Sequence, residues 1–353
     1  MNHRLKRGLT LAAGLSVLAA ALLYSILTKP EWRQFDGSVF LASFEQIRWP
    51  WIVLAILLVY ATYVIRALRW QILIRPVKPK PGFWNLLSAT VMGFGAIAVM
   101  GRPGEFVRPY LIAKKEQVAV SGQIAVWVLE RSFDSLIVLA AVAFAVGQFQ
   151  PASLDAPLHW WNALGQTVGL ATIALLVLLV VLRGYYDLLC EHFFRLLPRL
   201  TSGATGSRSR AWVEKMRQPL AVFGEGLRSL RDWRAMTACL LWSALQWLLI
   251  ALCYYAVLAG CAPNLRFQFV QAVIFLGVVM AGSAFQVPGV GGGVQIAAVL
   301  GLTEIFGMPV ELASSTAILV WFLTFLAVLP PALILLLHDG LSWAKLRHLE
   351  SEA

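Results

Sequence analysis

The run Gly101-Arg102-Pro103-Gly104-Glu105-Phe106-Val107-Arg108-Pro109-Tyr110 decides how this chain is read. An apolar run from Phe83 to Met100 leads straight into it, and Lys114-Lys115-Glu116 closes it. A charged side chain at membrane depth costs roughly 2.5–3.5 kcal/mol on insertion scales, so Arg102, Glu105 and Arg108 need partners or a task. The limb after Pro103 is too short and too charged to cross a bilayer. Gly and Pro are the residues of a helix break. The stretch therefore predicts a re-entrant hairpin over 83–115, broken at Pro103 and Gly104, whose irregular backbone must be covered by protein or line a wet cavity.

The surrounding composition agrees. The chain is 59% hydrophobic and 13% charged, with a mean hydropathy of +0.73, well away from a soluble domain. A net charge of +11 raises the question of nucleic acid. The distribution of the basic residues along the chain excludes it, because they alternate with apolar spans as loop charges do. The four cysteines form no CxxC pair and the five histidines sit at termini or in loops, so neither a disulfide framework nor a metal site is signalled, and no cofactor is expected.

In order, the chain predicts an all-α polytopic helical membrane protein with about six full spans and two re-entrant broken-helix hairpins. The first half, 1–150, holds spans 8–27 and 49–66, the hairpin 83–115 and span 121–147. Arg66, Arg69, Arg75, Lys78 and Lys80 read as the loop closing the second span. The second half, 163–338, holds spans 164–182 and 235–258, a hairpin at 268–306 and span 313–337. This hairpin breaks at Pro288, Gly289, Gly291 and Gly292. Between them, 183–234 is an amphipathic segment with ten Lys/Arg, suited to an anionic lipid surface. A short tail, 339–353, follows. On this reading 22 of the 29 Lys/Arg fall on one side, which places both termini in the cytoplasm of a bacterial inner membrane. Both halves read span, span, hairpin, span. Three full spans per half invert the second, so the order is that of an inverted repeat, although sequence identity between the halves is weak.

The chemistry sits in two clusters. Arg102, Glu105 and Arg108 are spaced to share one helix face, where one carboxylate between two guanidiniums leaves a fork free for a phosphate. The same three charges also fit an ion network pinning the hairpin. Glu130, Arg131 and Asp134 lie inside an apolar run, with Arg131 in reach of Asp134 and the two acids one turn apart. They read either as partners for Arg102 or Arg108 at a substrate site, or as an internal pair. No catalytic residue is identified: there is no nucleophile elbow, HExxH or P-loop.

With these motifs placed, the chain resembles the membrane region of the lysylphosphatidylglycerol synthases and the stand-alone flippase-like proteins that share it. The resemblance covers about residues 10–340 and rests on Gly101-Arg102-x-Gly104-Glu105-x-x-Arg108, Glu130-Arg131-x-x-Asp134 and Pro288-Gly289-x-Gly291-Gly292. Two positions depart: Gln295 stands where an acid is usual after the glycines, and Trp321, in Val320-Trp321-Phe322-Leu323, precedes Thr324-Phe325 without the usual Arg. The soluble aminoacyl-transferase domain does not follow, so lysyl transfer is not expected and the chain is read as a non-enzyme. The resemblance implies a lipid, or lipid-linked precursor, moved between leaflets. The expected substrate site is Arg102, Glu105, Arg108, Glu130, Arg131 and Asp134, in which Arg102 and Arg108 hold an anionic headgroup and Glu105, Glu130 and Asp134 compensate when it leaves. Two rivals remain: a non-catalytic membrane partner of an envelope-lipid or glycolipid synthase, and a membrane enzyme acting on lipid phosphate.

Overall fold

The computed structural model describes residues 34–149, 161–178, 180–181, 232–283, 286–287 and 291–339. The expected first span at 8–27, nearly all of the 183–234 segment, Pro288, Gly289 and the tail from 340 lie outside these residues. Within them the protein is helical apart from one two-residue ladder, and it is a multi-pass membrane protein. Five helices are long and apolar enough to cross a bilayer: Trp49–Ile74, Phe83–Met100, Trp161–Leu178, Trp233–Cys261 and Val310–His338.

We number the helices in chain order. A short helix, α1 (Gly37–Glu45), precedes α2 (Trp49–Ile74); α3 (Phe83–Met100) and α4 (Val107–Glu116) follow, then α5 (Val120–Gln148) and α6 (Trp161–Leu178). The second half brings α7 (Trp233–Cys261), α8 (Phe269–Gly282), α9 (Gly293–Leu300), α10 (Val310–Trp321) and α11 (Leu329–His338). A pi turn at Gly301–Ile305 ends the run begun by α9, and another at Phe322–Leu326 interrupts the run from α10 to α11. The second was not anticipated for a span read as continuous over 313–337.

The first hairpin takes the expected form. Gly101 leaves α3 at φ 70°, where an L side chain would be strained, and Arg102–Phe106 makes a 3-10 turn into α4. The limbs pack closely: a Cβ placed on Gly93 would lie 2.5 Å from Arg108 Cβ. At the open end Glu116 clasps the two limbs together. Its Oε1 accepts from the Gly82 amide at 3.1 Å and from Asn85 Nδ2 at 2.8 Å, and Lys78 Nζ lies 3.0 Å from its Oε2. The second hairpin is shorter. Helix α8 opens with a capping box between Gln268 and Gln271. The chain turns through an antiparallel ladder pairing Gln286 with Gly292 and Val287 with Gly291, and returns in α9.

Contacts between distant residues fix the two ends of the bundle. Lys115 pairs with Asp339 beside the open end of the first hairpin. At the other end the Arg48 amide donates to the Gly260 carbonyl at 3.0 Å, the Asp36 amide donates to Glu311 at 3.1 Å, and Phe149 and Phe267 both pack on Phe306. The two hairpins thus open to opposite ends. Their tips meet, since Arg102 Nη2 donates to the Ser283 carbonyl at 2.9 Å. Helices α2 and α7 run antiparallel through the middle, with Gly260 beside Trp51 and Ser243 beside Arg69.

One sequence reading is corrected. Arg66 and Arg69 are not loop charges. Helix α2 continues through Ile74, and both guanidiniums lie buried inside the bundle, Arg69 with no exposed surface. The apolar residues Ala67, Trp70, Leu73 and Ile74 carry the helix past them, and two of the five basic residues assigned to that loop leave it. Large apolar side chains such as Leu57, Leu170, Leu241 and Ile334 point outward, as lipid-facing surfaces do.

Candidate functional site

Helix α5 supplies the two acids at the centre. Glu130 and Asp134 are one turn apart and so face the same way, toward α2 and α4. Both are buried, so each must be matched by cations, and four guanidiniums surround them. Arg69 lies deepest. It donates to both acids, with Nη2 3.2 Å from Asp134 Oδ2, and its Nη1 donates to Ser243 Oγ of α7 at 2.6 Å. Arg108, projecting from α4, puts Nη2 2.6 Å from Glu130 Oε2 and stacks 4.1 Å above the Trp70 ring. That ring is held by its own Nε1, which donates to Gln123 Oε1 at 3.0 Å. Arg66 Nη1 stands 3.9 Å from both acids, with its guanidinium 4.7 Å above Phe94. Arg131 Nη2 reaches Asp134 Oδ2 at 3.4 Å.

A second pair lies at the hairpin tip. Arg102 Nη1 is 3.0 Å from Glu105 Oε1, while its other nitrogen bridges to Ser283. Together the region holds five guanidiniums against three carboxylates. Several donors find no acceptor among the described residues, including Nε of Arg66, Arg69, Arg108 and Arg131. The surplus charge is positive and partly unpaired.

Beside this cluster opens a cavity of about 930 Å³. One wall is polar and comes from the first half: Arg102, Glu105, Arg131 and Asp134. The rest of the lining is mostly apolar and comes largely from the second half, including Ile274, Val278, Met280 and Leu300. The cavity thus joins a charged patch to an apolar surface.

The six charged residues singled out from sequence divide into two sets. Arg102, Glu105, Arg131 and Asp134 face the cavity; Arg108 and Glu130 are locked together behind them. Pro103 and Gly104 form the turn, with Gly104 seated against the Ala96 carbonyl. Gly291 and Gly292 pair in the ladder of the second hairpin. Sequence reasoning missed Arg66, Arg69, Ser243 and Trp247. The signal for the first two was an arginine pair at i, i+3 with apolar residues continuing for a further turn. Among the described residues no three His, Cys, Asp or Glu side chains gather as metal ligands.

The chain matches the family described as the lysylphosphatidylglycerol synthase TM region over residues 11–332. No curated protein and no solved structure matches it.

Proposed function

This chain belongs to the family of the lysylphosphatidylglycerol synthase TM region, and we propose that it moves a lipid, or a lipid-linked precursor, with an anionic headgroup between the leaflets of a bacterial inner membrane. The observation that carries the reading is the cavity of about 930 Å³, whose lining joins the guanidiniums of Arg102 and Arg131 and the carboxylates of Glu105 and Asp134 to a larger apolar surface, with the surplus guanidinium charge of Arg66, Arg69 and Arg108 buried behind them. Arg102 and Arg131 take the headgroup, since they are the guanidiniums on the cavity wall and their side chains are 50% and 37% exposed. A phosphate would take N–H donors of Arg131 together with those of Arg102 that Glu105 and the Ser283 carbonyl leave over. Glu105 and Asp134 hold these arginines in place and compensate them when the cavity empties. Arg69, Arg108 and Glu130 act through that wall as its ionic foundation.

Movement follows from the two hairpins. They open to opposite ends and meet beside the cavity, in the manner of broken-helix transporters related by an inverted repeat. Rocking of 1–150 against 163–338 would expose the cavity to each leaflet in turn. The basic end, with Arg75, Lys78, Lys80, Lys114 and Lys115, is the cytoplasmic one. No transferase step is assigned to the chain.

The test is lipid movement in proteoliposomes, read by the accessibility of a fluorescent phosphatidylglycerol to an impermeant quencher. Arg131→Gln removes a charge-assisted contact worth about 1.5–3 kcal/mol, so the rate should fall by about ten- to a hundredfold. A fully active Arg102→Gln/Arg131→Gln double variant would sink the assignment.

A further inference from the structure

A second and smaller cavity, of about 220 Å³, adjoins the large one. Arg66, Phe94, Trp247 and Thr324 are among its walls. It and the large cavity share Trp247, Met280 and Ser283, so those three side chains form part of the partition between them. Two of its lining side chains carry buried N–H donors without a hydrogen-bond acceptor. Neither Nε nor Nη1 of Arg66 has a hydrogen-bond acceptor among the described residues, and neither has Nε1 of Trp247. Arg66 is 6% exposed and Trp247 is 7% exposed. A buried donor left unmade is costly, and an indole nitrogen can only donate. The lining threonines offer no competition as donors: Thr62 donates to the Val59 carbonyl at 2.6 Å and Thr324 to the Val320 carbonyl at 2.8 Å. No carboxylate is among the described lining residues; Glu130 and Asp134 lie behind Arg66, its Nη1 3.9 Å from each.

We infer that Arg66 and Trp247 form an anion site for one phosphate group, separate from the headgroup wall at Arg102 and Arg131. The chemistry is that of a tetrahedral oxyanion: a planar guanidinium fork on one side and a single N–H on another. The volume is several times the ~30 Å³ share of one water, enough for a phosphate and too small for a lipid's chains. The phosphate comes either as the free ion or as a headgroup whose chains stay outside. The inference stands apart from the transport reading, since a protein that moved no lipid would still bind phosphate here.

The experiment uses the full chain in phosphatidylcholine nanodiscs and follows its melting temperature. One arm adds inorganic phosphate; the other replaces part of the phosphatidylcholine with phosphatidic acid. A ligand that binds only the folded state raises the melting temperature in a saturable way. Saturation by inorganic phosphate identifies a soluble ion and a rise with phosphatidic acid alone a lipid headgroup; either supports the site when the two variants below reduce it. Trp247→Phe keeps the ring and removes the N–H. Arg66→Lys keeps the charge and removes the fork. Each should weaken binding by about tenfold or more, while Arg234→Gln, at an exposed basic residue that lines neither cavity, leaves it unchanged. Melting without phosphate shows that each variant is folded. The proposal is overturned if neither probe shifts the wild type, if the two variants titrate as wild type does, or if Arg234→Gln abolishes the effect.

Discussion

Consider replacing Arg108 by methionine and Glu130 by glutamine, singly and together. Nη2 of Arg108 lies 2.6 Å from Glu130 Oε2, and both residues are more than nine-tenths buried. Arg108→Met removes one charge-assisted hydrogen bond, about 1.5–3 kcal/mol, and a stacking contact on Trp70 of about 1 kcal/mol. Glu130 keeps Arg69 as a partner, so the total should be about 3 kcal/mol. Glu130→Gln is worse. It leaves Arg108 buried without a counter-charge, which costs about 3–5 kcal/mol. Independent sites would sum to about 7 kcal/mol. In the double variant the orphaned cation is gone, so the cost should be about 4 kcal/mol and the coupling about 3 kcal/mol. Denaturant unfolding of the purified chain in micelles, followed by tryptophan fluorescence, measures the cycle. A coupling below about 0.5 kcal/mol would mean that the pair is not in contact. The same variants test the division of labour at the site. Were Arg108→Met to slow lipid movement as far as Arg131→Gln under conditions where both stay folded, Arg108 would be a headgroup ligand rather than part of the foundation.

Two other outcomes follow from the geometry. Gly93→Val should destabilise the protein by about 1–3 kcal/mol in thermal unfolding, because its Cβ would meet Arg108 at 2.5 Å and force the hairpin limbs apart. At the start of α1, hydrogen bonds from the Ser38 hydroxyl and amide hold the Asp36 carboxyl below its ordinary value of 3.8. A depressed folded-state value means that this cap contributes above the ordinary value and is lost as pH falls through the folded one. The melting-temperature difference between wild type and Asp36→Asn should therefore be constant near neutrality and change only below about pH 4.

The first hairpin was legible because its break is written in residue types that no continuous span tolerates: glycine where φ is positive and proline just after. The acids of α5 were legible as charges stranded in an apolar run. Arg66 and Arg69 were not. They end one apolar stretch and precede Arg75, Lys78 and Lys80, so they look like the first charges of a basic loop. What distinguishes them is tertiary: the carboxylates that neutralise them come from α5, more than sixty positions along the chain. A positive-inside count treats every basic residue as solvated and cannot see such partners. The division of the six charged residues between cavity wall and foundation was equally hidden. It depends on Arg108 rotating onto Trp70, which spacing along α4 does not reveal.

The contact between the hairpin tips has an evolutionary corollary. Arg102 reaches across to the main chain of residue 283, not to its side chain. Every amino acid carries that carbonyl, so position 283 is free to drift while the junction persists. Position 102 has no such freedom, because lysine lacks the fork that holds Glu105 and the carbonyl at once. Among natural variants of this chain the first tip should be invariant at its arginine, and the second should vary in side chain but not in length.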